Sequence, residues 1–208
     1  MLIDGPLTFR EFALAEPVPL ARVHAAVFEF LRDRQDAVLF GAQAVNAWVD
    51  TPRMTEDVDV MARDAPALAE ALRQHLSETL GIAVRVRSVG KGRGMRVYQV
   101  RKEGNRHLVD IQATAALPPS EVVAGIQLLG PAPLVALKAM ALADRRGQPK
   151  AGTDWRDIAE LLLARPELKA DPGPVGEQLR AFGASEAAWA EWRVIVAAPL
   201  RADRDWMG

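Results

Sequence analysis

The chain has 208 residues, half of them hydrophobic, enough to bury the core of one domain or of one domain with a small appendage. Its 26 Lys and Arg against 27 Asp and Glu leave a net charge of -1, which argues against a chain coated in positive charge for indiscriminate nucleic-acid binding. The absence of cysteine excludes disulfides, thiolate metal sites and a cysteine nucleophile. No apolar run is long enough to span a bilayer, and residues 1–6 lack the basic and apolar regions of a signal peptide, so a cytoplasmic protein with no membrane partner is expected.

Residues 19–34 carry helical apolar spacing, and residues 37–40 read as a short strand. Gly41 breaks that strand, and residues 43–48 start a helix packed on it. Residues 56–62 form the next strand. Residues 66–80 form an amphipathic helix with Leu68, Leu72, Leu76 and Leu80 on one stripe. Residues 83–89 alternate as a strand, glycines at 90, 92 and 94 mark a hairpin loop, and 95–101 and 107–114 are further strands. After Leu117-Pro118-Pro119 the chain is expected to be helical apart from a short strand at 125–129. Helices are predicted over 131–146, 154–164, 175–182 and 186–197, with a loop at 147–152 and a break at 171–174. The pattern predicts an α+β fold. A mixed sheet with flanking helices occupies residues 1–116, and a helical C-terminal region occupies residues 117–208.

The chemistry concentrates in Glu56-Asp57-Val58-Asp59-Val60. Strand side chains alternate faces, so Asp57 and Asp59 share one side while Val58 and Val60 point into the body. Two carboxylates facing the same way repel unless a cation sits between them, and a divalent metal with oxygen ligands fits that need. A third carboxylate, Asp110, lies between Val109 and Ile111 in a later strand, where aspartate is uncommon. It either shares the metal or, on an edge strand, faces water. The Gly41 turn and the helix start after it offer backbone N–H groups to phosphates. Carboxylates of this kind hold magnesium, and two such ions roughly 4 Å apart support an in-line displacement at phosphorus.

Cations cluster in Arg85, Arg87, Lys91, Arg93, Arg96, Arg101, Lys102 and Arg106, opposed only by Glu103. Two readings are open: a solvated hairpin whose charges guard a sheet edge, and a phosphate-binding face. His107 is set apart from Asp110 by strand alternation and reads as non-catalytic. His24 and His75 lie within helices and read as incidental, and Trp189 and Trp192 as core or interface.

Gly41-Ala42-x-Ala44, Arg53-x-Thr55-x-Asp57-Val58-Asp59 and the strand Asp110 resemble the nucleotidyltransferase superfamily related in its core to DNA polymerase beta. The form of the second motif is most similar to the minimal and AbiEii-type branch. A second match lies in Lys138-Ala-Met-Ala-Leu-Ala-Asp-Arg-Arg146 and in Asp154-Trp-Arg-Asp157-Ile-Ala-Glu-Leu-Leu162. The resemblance covers about residues 36–165. It implies a magnesium-dependent enzyme that moves a nucleoside monophosphate from an NTP to an acceptor hydroxyl and releases pyrophosphate. It makes Asp57, Asp59 and Asp110 the metal ligands and, with Lys138 and Asp154, the catalytic residues. Gly41, Ala42, Arg53, Thr55 and Lys138 would bind the nucleotide. Lys138 supplies a point charge for the triphosphate, and Asp154 orients it or contacts the nucleotide; a plain helix–helix salt bridge is the alternative. Asp157, one turn on, reads as a buttress.

Some members of that branch are toxins of toxin–antitoxin and abortive-infection systems and some modify tRNA ends, so an RNA or tRNA acceptor and an antitoxin partner are expected. Two other functions stay open: a transferase acting on a small molecule of the aminoglycoside or lincosamide kind, and a non-catalytic regulatory module of the same fold. The chain departs from the family pattern at Ala42, where the family has Gly or Ser. Alanine offers no hydroxyl to a phosphate and tolerates positive φ poorly.

Overall fold

Leu20, Val23, Val27 and Leu31 recur at helical spacing and form the buried stripe of α1 (Leu20–Leu31). The computed structural model describes residues 11, 13, 18–102 and 104–202; the expectation for residues 1–6 and the opposing Glu103 lie outside them. β1 (Ala37–Phe40) leads directly into the short helix α2 (Gly41–Asn46), and β2 (Val58–Ala62) follows. α3 (Ala65–Leu80) is capped at its start by Asp64, whose side chain accepts from the Ala67 N–H at 2.9 Å, and is stopped by Gly81 at φ 63°. Then come β3 (Val84–Val89), β4 (Gly94–Gln99), β5 (Arg106–Ala113), β6 (Ser120–Val123) and β7 (Ile126–Leu129). The helices α4 (Pro131–Asp144), α5 (Pro149–Ala164), α6 (Pro174–Ala181) and α7 (Glu186–Ala197) complete the chain, three of them with proline at the first position.

Packing divides the chain into two compact units, Met1–Gln43 with Met54–Leu128, and Ala44–Arg53 with Leu129–Gly208. The first unit holds a seven-stranded mixed sheet in the order β3-β4-β5-β2-β1-β7-β6. β2 runs antiparallel to β1 and parallel to β5, while β3, β4 and β5 form an antiparallel meander. The parallel β2–β5 pair is joined through α3 and the β3–β4 hairpin, the long crossover that parallel neighbours need. α3 packs along β2 to β5 and against α1, covering the face that carries Val58, Val60, Val97, Val109 and Ile111.

In the second unit α4 is the hub, packed against α5, α6 and α7. Its sequence is apolar nearly all round, and Leu134, Val135, Ala136 and Ala139 are fully buried, the composition of a helix with neighbours on every side. α7 contributes Trp192 and Ile195, both buried.

Two expectations change. Residues 120–123, expected to be helical, form β6 at the sheet edge, and with β7 they carry the sheet past residue 116. Val122 is 62% exposed, so the strand lacks the buried alternation that marks one. Residues 149–152, expected in a loop, are the first turn of α5: Pro149 suits a helix start, and Gly152 is carried inside the helix.

Candidate active site

The sheet register assembles the carboxylates. β2 and β5 lie side by side with Val58 opposite Val109, Asp59 opposite Asp110 and Val60 opposite Ile111. The apolar residues are fully buried, so Asp59 and Asp110 share the other face on neighbouring strands, about 4.8 Å apart from strand to strand. Phe40 lies opposite Asp59, Arg96 opposite Asp110, and Arg87 opposite Arg96. One cross-strand row therefore reads Arg87, Arg96, Asp110, Asp59, Phe40. Asp110 sits on an interior strand, not on an edge facing water.

Arg96 grips Asp110 with a two-pronged fork, Nε to Oδ1 and Nη2 to Oδ2, each 2.8 Å. His107 adds a second cation. Its Nδ1 lies 3.0 Å from Asp57 Oδ1 and its Nε2 lies 3.1 Å from Asp110 Oδ1, so one ring spans two carboxylates. Burial by itself lowers the imidazole pKa, but contact with Asp110 and Asp57 outweighs it and raises the value to about 9. For Asp110, burial favours the neutral acid, yet His107 and Arg96 outweigh burial and hold the carboxyl well below its usual range.

The reading of His107 as set apart from Asp110 is thereby corrected. The β4–β5 pairing slips between Val97 and Tyr98: Val97 faces Val109, but Tyr98 faces His107. Leu108 is the extra residue of a β-bulge, and both Leu108 and Val109 are fully buried. The bulge returns His107 to the face of Asp110. The signal was present in the sequence as two adjacent apolar residues interrupting the alternation.

Gly41 makes close approach to Asp59 possible. It holds φ at 68°, and a Cβ built on it would lie 2.1 Å from Asp59 Oδ2. Gly41→Ala is therefore expected to cost about 2–4 kcal/mol, from the left-handed backbone and the collision together, read by urea unfolding. A loss under about 1 kcal/mol would show that Asp59 is not fixed against this turn. Ala42 does not hold a positive φ, and its side chain is buried, so the turn asks no left-handed conformation of it.

His24, expected to be incidental, braces this region. Its Nε2 is 3.2 Å from the Glu56 carbonyl oxygen, and its Nδ1 is 3.2 Å from the Gln43 side-chain amide nitrogen. Burial lowers its pKa, in keeping with a neutral ring that donates to the carbonyl and accepts from the amide. Thr55 Oγ1 donates to the Asp57 carbonyl at 3.5 Å, at the long limit of a hydrogen bond.

The second unit holds a separate charge cluster. Asp154 and Asp157 are 1% and 2% exposed, on one side of α5. Lys138 Nζ reaches Asp157 Oδ2 at 2.7 Å and Asp154 Oδ1 at 3.2 Å. Arg145 Nη1 donates to Asp154 Oδ2 at 2.7 Å. Arg53 forks onto Asp157, with Nε 2.6 Å from Oδ1 and Nη2 3.0 Å from Oδ2. Asn46 closes the loop that presents Arg53, accepting from its N–H at 3.0 Å and donating to its carbonyl at 2.8 Å. Burial would push the Asp157 carboxyl up, but Arg53 and Lys138 outweigh it and hold it below its usual range. Lys138 thus sits nearer Asp157 than Asp154, and Arg145, which the sequence did not single out, shares the cluster.

The donor chemistry of the first cluster suits magnesium, since Asp57, Asp59 and Asp110 present hard carboxylate oxygens on one face. Both oxygens of Asp110 are engaged by Arg96 and His107. Among the described residues, no three His, Asp or Glu side chains converge closely enough to hold an ion as they stand.

A mixed sheet with aspartates in register on neighbouring strands defines a nucleotidyltransferase fold, and solved structures agree. Residues covering 78% of this chain superpose on the polyadenylate synthase of Megavirus with a TM-score of 0.60 at 13% identity. This chain matches 35% of that synthase's length. JHP933 from Helicobacter pylori superposes over 92% of both chains with a TM-score of 0.53, also at 13% identity. No curated protein matches the chain. Over residues 25–204 the sequence matches the family described as nucleotidyl transferase AbiEii toxin, type IV TA system, and the chain belongs to that family. Family and fold together mark it as a nucleotidyltransferase.

Proposed function

We propose that the protein transfers a nucleoside monophosphate from an NTP to a hydroxyl of an RNA acceptor, tRNA included, as the toxin of a toxin–antitoxin pair whose second member is a protein antitoxin. The observation that carries this reading is the register of Asp59 and Asp110 on adjacent parallel strands, with Asp57 two residues upstream. In this reading these carboxylates belong to the core expected over residues 1–116, and Lys138 and Asp154 to the helical domain expected over 117–208. Asp57, Asp59 and Asp110 would hold magnesium, which supplies neutralisation and polarisation of phosphoryl oxygens when bound.

The chain's own groups set the rest. The acceptor oxygen bonds to the α-phosphorus, the bond from that phosphorus to the bridging oxygen breaks, and pyrophosphate leaves with the electron pair. As the new bond forms, the hydroxyl proton passes to Asp110 or to solvent. Lys138 gives the triphosphate a point charge, Asp154 and Asp157 hold that lysine, and Arg53, Thr55 and the Gly41-Ala42 turn bind the nucleotide.

The test is incubation with each α-labelled NTP, magnesium and total RNA. Label entering RNA is the expected result. Label entering a small-molecule acceptor and never RNA would overturn the RNA reading, and no transfer to either would overturn the transferase reading.

A further inference from the structure

The basic segment of the sequence separates into groups with different work. Arg106 lies opposite the buried Gln99 and turns to the helix-covered face, where its Nη2 meets Glu11 Oε1 at 2.6 Å and its Nη1 donates to the Val18 carbonyl at 2.9 Å. Arg93 Nε folds back onto the Gly90 carbonyl at 3.1 Å. Arg96 is committed to Asp110. Arg85 and Arg87, on the edge strand β3, are exposed and make no ion pair among the described residues. Their cross-strand partners are Tyr98 and Arg96, so both share the face of Asp110 and Asp59. The Arg87 guanidinium lies over the Tyr98 ring, 5.9 Å from its centroid.

We propose that this face of the β3–β4 hairpin, through Arg85, Arg87 and Tyr98, carries the phosphate backbone of a single-stranded nucleic-acid acceptor toward Asp59 and Asp110. The proposal rests on the RNA-acceptor reading above and assigns it a surface. A polyanion whose terminal hydroxyl must reach three carboxylates needs positive charge along its path. The row from β3 to β2 crosses three strand spacings, about 14 Å, so a strand ending at the carboxylates trails a few nucleotides across the two arginines. Exposed arginines beside an aromatic ring are the pairing that single strands use, cations for phosphates and a π face for bases. Guarding a sheet edge would account for the charges but gives no part to the tyrosine.

The experiment measures binding of a fluorescent single-stranded RNA oligonucleotide by anisotropy across salt concentrations, for wild type and for the double variant Arg85→Gln, Arg87→Gln. The double variant is expected to bind about tenfold more weakly, with the slope of log affinity against log salt smaller by about 1.4, two phosphate contacts on a single strand. Its unfolding temperature and the rise in that temperature on adding NTP and magnesium should match wild type. Unchanged affinity and slope would overturn the proposal. So would poly-glutamate of matched charge binding as tightly and losing affinity in the same way, which would make the surface a general acidic-partner site. Arginine-dependent RNA binding in a protein that transfers no label supports the surface and counts against the transferase reading alone.

Discussion

Asp59→Asn is expected to lower label transfer from NTP by about a thousandfold or more while leaving the protein as stable as wild type or slightly more so. The substitution keeps the size of the side chain and its hydrogen-bonding capacity, and removes one negative charge beside Asp110, which Arg96 and His107 hold, and Asp57, which His107 contacts. Asp59 and Asp110 are cross-strand neighbours, and like charges directly opposite one another destabilise a sheet. Losing one of them relieves repulsion in the folded protein, so the outcome separates a functional carboxylate from a structural one. Activity is read as label incorporated per minute, stability as the urea midpoint. A variant that transfers label like wild type sinks the assignment of Asp59, and one that loses several kcal/mol marks the residue as structural.

The second large effect falls on stability. Asp157→Ala should destabilise by about 3–5 kcal/mol, because removing one member of a buried ion pair strands its partners. Asp157 is 2% exposed, and its loss takes both carboxylate bonds from Arg53 and the shorter of two from Lys138. The effect depends on pH with a definite sign. The folded carboxyl lies below its usual range, so as pH falls the unfolded chain takes up the proton first. The contribution is complete above about pH 4, the usual carboxylate range, and is lost as pH falls through the depressed folded value. The difference between wild type and variant is therefore full at pH 7 and narrows in acid. Urea unfolding at pH 7 and pH 3 checks this; a gap under about 1 kcal/mol at pH 7, or one that widens in acid, would refute it.

Much of the site was legible because strand periodicity is a strong signal. Val58 and Val60 buried against Val109 and Ile111 left Asp59 and Asp110 on the other side, as alternation requires. Strand 37–40 and helix 186–197 have the observed bounds because an apolar run and a Ser185 cap mark them plainly. What sequence could not deliver is pairing. That Arg96, and not another of eight nearby cations, faces Asp110 depends on the β4–β5 register, which no local pattern states. The position of His107 depends on a one-residue slip in that register, and a slip reverses faces. Arg53 and Asp157 meet across more than a hundred residues, and nothing in either segment names the other.

The place of β5 between β4 and β2 has a consequence for how the protein comes into being. β1 and β2 are near in sequence and can pair early, as can β3 and β4. Asp59 gains its neighbour Asp110 only when β5, about fifty residues later, closes the gap, and contacts of such separation form slowly. On the ribosome the paired aspartates therefore cannot exist until the chain has been made past residue 113. Asp59 and Asp110 become neighbours only with the insertion of β5, just past the middle of the 208 residues.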